Sequence, residues 1–382
     1  MALTKIKTSN IINDGNLGRR NLIINGGMSV WQRGTTKTFT ANDTTNYHTA
    51  DRWSQFVDID EGSGSLSVTI SQSTDVPSTE GFAYSLKGAT TPSSFVPSGL
   101  DNLSLFTHKI ETYNANPLGW GTSGAKAATL SYWIKSDTAG TGTLQIRLQD
   151  SSNVSGQGDG NYYTSFTINQ ANTWEYKTHL IPANSTDGWR RTVSNIALHI
   201  HWFFGSEQTA AGTQDAWYRE NNHGRPHSSQ TLDFMTNAGE AYLTGVQLEV
   251  GNTATPFEHR SFGEEFQLCK RYFCKSYSHD DAPGTNTTNG TVYSRLNDAV
   301  SNRPVSVSFP VEMRSQPTVT LYSITGTSGS VSDCNTSYAH VANDTANLGV
   351  GGTGATGFGA VSSINAGAGE IIGMHFTAES EL

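Results

Sequence analysis

Apolar and polar residues alternate with a period of two along most of the chain, which is the pattern of half-buried β-strands. The clearest runs place apolar side chains at every second position: Leu66, Val68 and Ile70; Leu130, Tyr132 and Ile134; Leu144, Ile146 and Leu148; Ile196, Leu198, Ile200 and Trp202; Tyr242, Thr244, Val246, Leu248 and Val250. Polar turn clusters rich in serine, asparagine and glycine separate these runs. Because no helical pattern interrupts them, we predict a large antiparallel jelly-roll β-sandwich over residues 21–262.

The spacing of apolar residues becomes helical near residue 262. They follow at intervals of four, three and four: Phe262, Phe266, Cys269 and Phe273. Acidic residues open this segment and basic residues close it, which is the order that the helix dipole favours. We predict a short connecting helix at 263–276 and a C-terminal β-rich domain at 277–382. Within that domain, the glycine- and alanine-rich stretch 347–369 suits either a low-complexity loop or strands packed closely at a threefold axis.

Residues 1–20 contain too few apolar side chains to fold alone: Ile6, Ile11, Ile12 and Leu17. Two interpretations stay open, a disordered terminus or an arm that folds onto a partner. The segment lacks the apolar core of a signal peptide, and no run of about 18 apolar residues occurs anywhere in the chain. We therefore expect no membrane insertion, and either a cytoplasmic location or release by lysis.

Composition supports the all-β class and argues against some partners. Of 382 residues only 15% are charged and 35% hydrophobic, and 39 are glycine, a balance that favours strands joined by many turns. The net charge of −9 and the lack of a basic stripe argue against nucleic acid. The helical spacing of Cys269 and Cys274 points their side chains to different faces, so we expect no disulfide between them. Three thiols, with Cys334, suit a reducing cytoplasm.

Several motifs occur in a recognisable order. They are Asn21-Leu-Ile-Ile-Asn-Gly-Gly-Met28-Ser-Val-Trp31-Gln-Arg33-Gly34, Ala50-Asp51-Arg52-Trp53, Leu130-Ser-Tyr-Trp133-Ile-Lys-Ser136, Asn172-Thr-Trp174-Glu, Thr244-Gly-Val-Gln-Leu-Glu249-Val-Gly251, and Thr255-Pro-Phe-Glu258. Together they resemble a family of bacteriophage and prophage tail-fibre proteins. The segment at residues 2–15 resembles the arms that attach such fibres to a virion, and Phe309-Pro-Val-Glu-Met313 resembles C-terminal fibre modules.

The resemblance implies a virion structural protein with a jelly roll like that of carbohydrate-binding modules. It also implies a homotrimer, attachment to other virion proteins through residues 1–20, and a host cell-surface polysaccharide as the external partner. The protein would be made in the host cytoplasm and released by lysis. The signature tryptophans Trp31, Trp53, Trp133 and Trp174 are expected to pack in the core, with a ligand platform as the alternative.

The sequence gives little support for catalysis. No nucleophile elbow, phosphate-binding loop or zinc-protease motif is present, so we predict a protein that is not an enzyme and uses no cofactor. A polysaccharide depolymerase would need two carboxylates facing each other across a cleft, and the candidate acids are Asp58, Asp60, Glu61, Glu175, Asp233 and Glu249. Their separation does not follow from the sequence.

Two patterns resemble metal ligands without requiring a metal. His199 and His201 share one face of a predicted strand, with His223 and His227 as further candidates. We favour two histidines on a solvent-facing row over a metal site. The run Asp58-Ile-Asp60-Glu61 offers oxygen ligands but lacks a full calcium loop, so we favour a solvated acidic loop. We predict no metal.

Aromatic residues in three predicted loops are the candidate ligand-binding residues. The loop at 207–229 is long and polar, and such loops are commonly functional. Tyrosine and tryptophan rings stack on sugar rings, while neighbouring polar groups bind hydroxyls. The candidates are Trp217, Tyr218 and Arg225 in this loop, Tyr162 and Tyr163 at the end of 151–163, and Trp189. Packing between subunits is the alternative role, because trimer seams also take aromatic residues.

Three functions therefore remain open. The first is a tail fibre or spike that recognises host glycans. The second is a purely structural virion component, such as a decoration or adaptor protein. The third is a polysaccharide depolymerase.

Overall fold

The computed structural model describes residues 19–40, 47–59, 62–99, 101–149, 159–189, 194–207, 212–220, 229–295, 302–348, 352–363 and 371–382. Strands make up 48% of the chain, and the described helices are short. The predicted all-β class, with a jelly-roll sandwich, one connecting helix and a C-terminal β-rich region, is confirmed. Among the described helices, none is long and apolar enough to cross a bilayer.

Two six-stranded antiparallel sheets form the sandwich. In spatial order, the first sheet contains β1 (Thr36–Phe39), β3 (Ser63–Ser73), β4 (Ser85–Val96), β12 (Gly239–Val250), β6 (Ala128–Ser136) and β9 (Glu175–Ile181). The second contains β11 (Trp217–Glu220), β8 (Asp159–Ile168), β7 (Gly140–Leu148), β10 (Ile196–Ser206), β5 (Asn102–Glu111) and β2 (Trp53–Asp58). A single helical turn, α1 (Thr112–Ala115), and a 3₁₀ turn (Asn116–Leu118) follow β5.

The third sheet lies in the C-terminal region. Its main path runs through β13 (Phe273–Lys275), β21 (Ile371–Glu379), β17 (Ser330–Cys334), β18 (His340–Leu348), β20 (Gly357–Ser363) and β15 (Asn302–Ser308). Strands β14 (Val292–Arg295) and β16 (Thr318–Tyr322) also pair with β21, and β19 (Thr353–Gly354) pairs with β20. Of the stretch 347–369, the described part is strand or turn, and 349–351 lie outside the described residues together with 364–369.

The predicted helix exists, but its C-terminal boundary was wrong. Helix α2 spans Phe262–Lys270 and begins with a capping box between Ser261 and Glu264. Residues 273–275, which the spacing assigned to the helix, form β13 and pair with β21. The strand ladder satisfies the backbone of these residues, so tertiary pairing overrides the local helical spacing.

The sandwich core confirms most of the predicted alternation. Leu66, Val68, Ile70 and their counterparts on β6, β7 and β10 are buried in one apolar cluster between the two sheets. The exception is β12, where a bulge lies between Thr244 and Gln247. Leu243 faces the core before the bulge and Val246 faces it afterwards, while Tyr242 pairs with Lys135 on the face of the first sheet that points away from the core. The prediction that Tyr242, Thr244 and Val246 share one face was therefore wrong.

The first signature motif is organised by Asn25. This residue is buried and has a positive φ of 59°. Its side-chain Nδ2 donates to the carbonyls of Val30 and Asp51 at 2.9 Å each, and its Oδ1 accepts from the backbone N–H groups of Ser29 and Val30 at 2.8 and 3.0 Å. The indole of Trp53 donates to its carbonyl at 3.0 Å. One asparagine thus joins the first and second signatures.

Residues at the end of the chain pack back onto the sandwich. The carboxylate of Glu381 bonds to the guanidinium groups of both Arg33, at 2.9 Å, and Arg52. Burial alone lowers the pKa of Arg33, but the Glu381 and Asp51 carboxylates more than offset it and raise that pKa. The main-chain oxygen of Leu382 accepts from Lys109 Nζ at 2.9 Å. Arg33 and Arg52 therefore join the sandwich to Glu381, which follows β21.

The described cysteines are free and buried, with Cys269 in α2 and Cys274 in β13. Burial raises the pKa of the Cys274 thiol to about 12. The signature tryptophans divide into two pairs. Trp31 and Trp53 are buried as predicted, whereas Trp133 and Trp174 lie on the outer side of the first sheet and are partly exposed. The core prediction for Trp133 and Trp174 was therefore wrong, and strand alternation explains Trp133 because its neighbours Tyr132 and Ile134 face inward.

The buried His108 should make the free energy of unfolding decrease at acid pH. It is buried against Trp53, and burial, reinforced by the nearby Arg52 guanidinium, lowers its pKa to about 3. The unfolded chain binds a proton here below about pH 6.5 while the folded chain does not, so stability is lost as pH falls. Between pH 6.5 and 5 this costs about 2 kcal/mol. We expect His108→Gln to flatten the dependence of the free energy of unfolding on pH by that amount, as measured by urea titrations across this range.

The exposed residue His259 provides the matched control. His259→Gln should leave the pH dependence as in the unmodified protein. An H108Q variant with an unchanged slope between pH 6.5 and 5 would contradict the assignment.

Candidate functional site on the outer face of the second sheet

The second sheet turns two rows of polar and aromatic side chains away from the sandwich core. Strand register aligns the first row across five strands: Tyr163, Gln145, His201, Thr107 and Ser54. The second row also crosses five strands: Tyr218, Asn161, Arg147, His199 and Lys109. Directly paired residues of an antiparallel sheet share a face, so the ten side chains form one surface, which we call the outer rows.

Hydrogen bonds connect the first of the outer rows. Gln145 Nε2 donates to Tyr163 Oη at 2.7 Å and to Asn161 Oδ1 at 3.0 Å. His201 Nδ1 and Thr107 Oγ1 lie 3.0 Å apart. These bonds fix the orientation of the amide and the imidazole, which are the groups able to recognise polar ligands.

The second row carries charge. Arg147 Nε donates to the Asp159 carboxylate at 2.7 Å, and the imidazole of His199 stacks on that of His201 at 5.4 Å. Burial lowers the pKa of Lys109 to about 8 even though the Glu381 carboxylate acts in the opposite direction. Near neutral pH the row thus presents a protonated lysine and a guanidinium held by a carboxylate.

The outer rows combine burial with unpaired polar atoms. Tyr163, Gln145 and Asn161 are fully buried, and His201 is 3% exposed. Within the described residues, nothing hydrogen-bonds to the Gln145 Oε1 atom, to the Ser54 hydroxyl or to either amide atom of Gln55 at the β2 bulge. Unpaired buried polar groups cost free energy, so each of these atoms needs a partner such as a water molecule, an ion or a ligand.

Tyr163 and Tyr218, two of the predicted binding residues, belong to the outer rows. Their rings stack with centroids 5.5 Å apart and an interplanar angle of 22°. Tyr218 is only partly buried, and at the opposite end of the rows Phe56 is also partly exposed and packs against His201. Aromatic rings therefore stand at both ends of the rows.

Tyr162, Trp217 and Trp189 lie instead on the inner side of the sheet. Trp217 packs at 5.1 Å from the Trp120 ring and 5.5 Å from Tyr162, and Trp189 is 6.3 Å from Trp120. Burial, reinforced by Asp215, raises the pKa of the Tyr162 phenol to about 12. The structure therefore separates the predicted binding residues into this inner cluster and the outer rows, and a binding role for any of them stays a prediction.

Some predicted loop residues are in strands, and others lie outside the described ranges. Tyr162 and Tyr163 lie in β8, which begins at Asp159, and Trp217 and Tyr218 lie in β11, so the loop assignments at 151–163 and 207–229 were wrong for these parts. Edge pairing between β8 and β11 supplies the backbone bonds that a loop would lack. Arg225, His223, His227, Asp60, Glu61 and residues 1–18 lie outside the described residues.

His199 and His201 share a face as predicted, but they are not on a solvent-facing row. They are 6% and 3% exposed, and His199 bonds to Gln149. Over the described ranges, no cluster of three or more histidine, cysteine, aspartate or glutamate side chains is placed to hold a metal ion.

The sequence reasoning missed Gln145, Arg147, Asn161 and Thr107. The signal was present, because these polar residues occupy alternate positions between the apolar ones of β7, β8 and β5. Alternation of polar and apolar residues by itself is typical of a sheet with one face exposed to solvent. Only the register, which aligns them across the sheet, shows that they form one surface.

No protein-family model matches this chain, and no curated protein matches it. Among solved structures it is similar to the enzymatically active domain of bacteriophage CBA120 tailspike protein 4, at 14% identity and a TM-score of 0.30, over 61% of this chain and 22% of that one. It is also similar to a family 11 carbohydrate-binding module from Clostridium thermocellum in complex with a β-1,3-1,4-mixed-linked tetrasaccharide, at 12% identity and a TM-score of 0.26, over 59% and 99%.

A third similar structure is a putative sugar binding protein from Bacteroides thetaiotaomicron, with 12% identity, a TM-score of 0.32, and coverage of 60% of this chain and 100% of that one. This chain spans about a fifth of the length of the tailspike, at 22%. Likeness at these TM-scores carries no functional argument, so the function of this chain is inferred from the contacts of the outer rows.

Proposed function

We propose that this chain is a carbohydrate-binding virion protein of the phage tail-fibre type, and that the outer rows of the second sheet bind a polysaccharide of the host surface. The observation that carries the proposal is a sheet face lined with aromatic rings, amides and a paired arginine, with buried polar atoms left without partners.

The chemistry of the rows suits a sugar. A pyranose ring has an apolar C–H face that stacks on tyrosine and hydroxyl groups that both donate and accept hydrogen bonds. Tyr218 supplies the partly exposed ring, and Gln145 Nε2 donates to Tyr163 Oη, which fixes the tyrosine that stacks on Tyr218.

The virion assignment rests on the sequence motifs. We propose a homotrimer that attaches to other virion proteins through residues 1–20 and leaves the host by lysis. Two of the motifs meet at Asn25. Its side chain donates to the Asp51 carbonyl, and its own carbonyl accepts from the Trp53 indole, so these motif residues hold the two segments together.

A purely structural virion role is the second candidate, and one observation favours it. Most side chains of the outer rows are buried within this chain itself, which leaves few of them able to reach a ligand. We do not propose catalysis, because the Asp159 and Glu111 carboxylates on this side of the sheet are held by Arg147 and Arg271 respectively. Glu111 also accepts from the Tyr272 hydroxyl at 2.7 Å.

Binding of the purified chain to intact host cells tests the proposal, with and without competing surface polysaccharide. We expect saturable binding that the polysaccharide abolishes. Tyr218→Ala should weaken it about tenfold by removing the stacking ring, and Tyr163→Phe about threefold by removing the hydroxyl that positions Gln145.

Tyr242→Ala is the matched control, because Tyr242 is a partly exposed tyrosine on the other sheet. It should bind as the unmodified chain does. A folded chain that binds no host cells, or whose binding is insensitive to both outer-row variants, would favour the structural role. Release of sugar fragments from the polysaccharide would favour a depolymerase.

A further inference from the structure

The first sheet carries a separate aromatic pocket on its own outer face. Its volume is about 380 Å³, and its walls include Trp133 of β6, Tyr176 of β9 and Phe257. The rings of Trp133 and Tyr176 lie 5.3 Å apart and are tilted by 46°, so they form an angled wall. Tyr176 is 44% exposed. This pocket lies on the opposite side of the sandwich from the outer rows.

A glycine keeps the floor of the pocket open. Gly245 lies in the β12 bulge with a φ of 63°, a conformation that side chains rarely adopt. A Cβ atom at this position would lie 2.6 Å from Phe82 Cζ and 3.1 Å from Trp133 Cδ1. Phe82 in turn packs edge-on against Phe257 at 5.0 Å. The bulge thus sets the space between the aromatic walls.

Polar groups border the same space. Glu80 and Ser131 line it together with the three rings. The Glu80 carboxylate accepts from the neighbouring Thr79 hydroxyl at 3.1 Å through Oε1, and among the described residues no bond to its other oxygen is present. Ser131 pairs in register with Thr178 of β9 and Gln247 of β12, so its side chain points to the same outer face of the first sheet as the pocket.

We infer that this pocket, formed by Trp133, Tyr176, Phe257, Ser131 and Glu80, is a second saccharide-binding site that takes one pyranose unit. The exposed Tyr176 ring stacks on the apolar face of the sugar, and the Glu80 carboxylate accepts hydrogen bonds from its hydroxyls. The volume lies at the lower end of the range of about 300–1,000 Å³ that is usual for ligand pockets, which suits a single ring.

The geometry favours a sugar over a flat protein partner. The aromatic walls meet at an angle around a recess, and a carboxylate stands at the edge, whereas the centres of protein interfaces are depleted in acidic residues. The alternative, that the pocket binds a second copy of the chain, is distinguished by measuring the oligomeric state of the Tyr176 variant.

Saturation-transfer NMR of the full chain with a panel of free sugars tests the inference. The panel contains glucose, galactose, mannose, rhamnose, N-acetylglucosamine and N-acetylgalactosamine. At least one member should bind saturably to the unmodified chain. Tyr176→Ala should weaken that binding about tenfold, and Tyr176→Phe should keep it, because the ring provides the contact.

Leu180→Ala is the matched control. Leu180 is 53% exposed and lies on the same strand, β9, and the same outer face as Tyr176, but it does not line the pocket. It should leave binding unchanged. Free-sugar binding that Tyr176→Ala weakens is assigned to this pocket, whereas host-cell binding that Tyr218→Ala weakens is assigned to the outer rows, so either site can fail without the other.

Two results would overturn the inference. One is a panel in which no sugar binds in a way that depends on Tyr176. The other is a change in oligomeric state on Tyr176→Ala, seen by analytical ultracentrifugation without any change in sugar binding, which would make the pocket a contact between copies of the chain.

Discussion

Replacing Glu381 by alanine should lower the free energy of unfolding by about 3–5 kcal/mol, the usual cost of removing one partner from a buried ion pair. The carboxylate serves two guanidinium groups at once, those of Arg33 and Arg52. All three side chains are buried, at 6%, 6% and 1% exposure for Glu381, Arg33 and Arg52. Without Glu381, Arg52 retains its bond to the Lys109 carbonyl and its position over the Tyr272 ring, but its charge is left without that carboxylate. Denaturant unfolding monitored by tryptophan fluorescence measures the loss.

Glu379 supplies a control in the same segment. Its carboxylate also approaches Arg33, at 3.5 Å, but the side chain is 46% exposed. Exposed pairs contribute at most about 1 kcal/mol, so Glu379→Ala should be close to neutral. Equal effects of the two variants would mean that burial of Glu381 does not determine its contribution.

Replacing Asn25 by alanine should destabilise the fold by about 4 kcal/mol or more. The side chain satisfies the carbonyls of Val30 and Asp51 and the N–H groups of Ser29 and Val30. Each buried group left unpaired costs about 1–3 kcal/mol. Thermal and urea unfolding of the variant measure the change, which falls at the junction of two signature motifs.

Asn25→Gly separates the hydrogen bonds from the backbone strain. Glycine also lacks the side chain but accepts the positive φ of 59° without strain. We expect the glycine variant to be about 1 kcal/mol more stable than the alanine variant, and still well below the unmodified protein. An alanine variant as stable as the unmodified chain would show that the four bonds contribute little.

The candidate sites were only partly predictable. The sequence identified Tyr163 and Tyr218 as aromatic residues near a binding surface, but it grouped them with Tyr162 and Trp217, their chain neighbours. Adjacent residues of a strand point to opposite faces, so strand assignment divides each pair. Because 151–163 and 207–229 looked like loops, the division was not visible before the pairing of β8 with β11 was known.

The pocket on the first sheet depended on a bulge. A regular strand through 242–250 would keep Tyr242, Thr244 and Val246 on one face, as the alternation predicted. The bulge at Gly245 instead turns Val246 into the core and opens the space between Phe82 and Trp133. A single glycine in a strand indicates such a bulge, but its position relative to Trp133 and Tyr176 follows from pairing with β6 and β9.

The sequence by itself determined the all-β class, the inward rows of most strands and the start of the connecting helix. These follow from short-range periodicity and from the order of acidic and basic residues along the helix, which act over a few residues. The tertiary structure decided which polar rows align across the second sheet, where α2 gives way to β13, and that Arg33 and Arg52 bind Glu381, more than 300 residues away. Such contacts depend on strand register and on where the chain folds back on itself. No local sequence pattern indicates which residues far apart in the chain will pair.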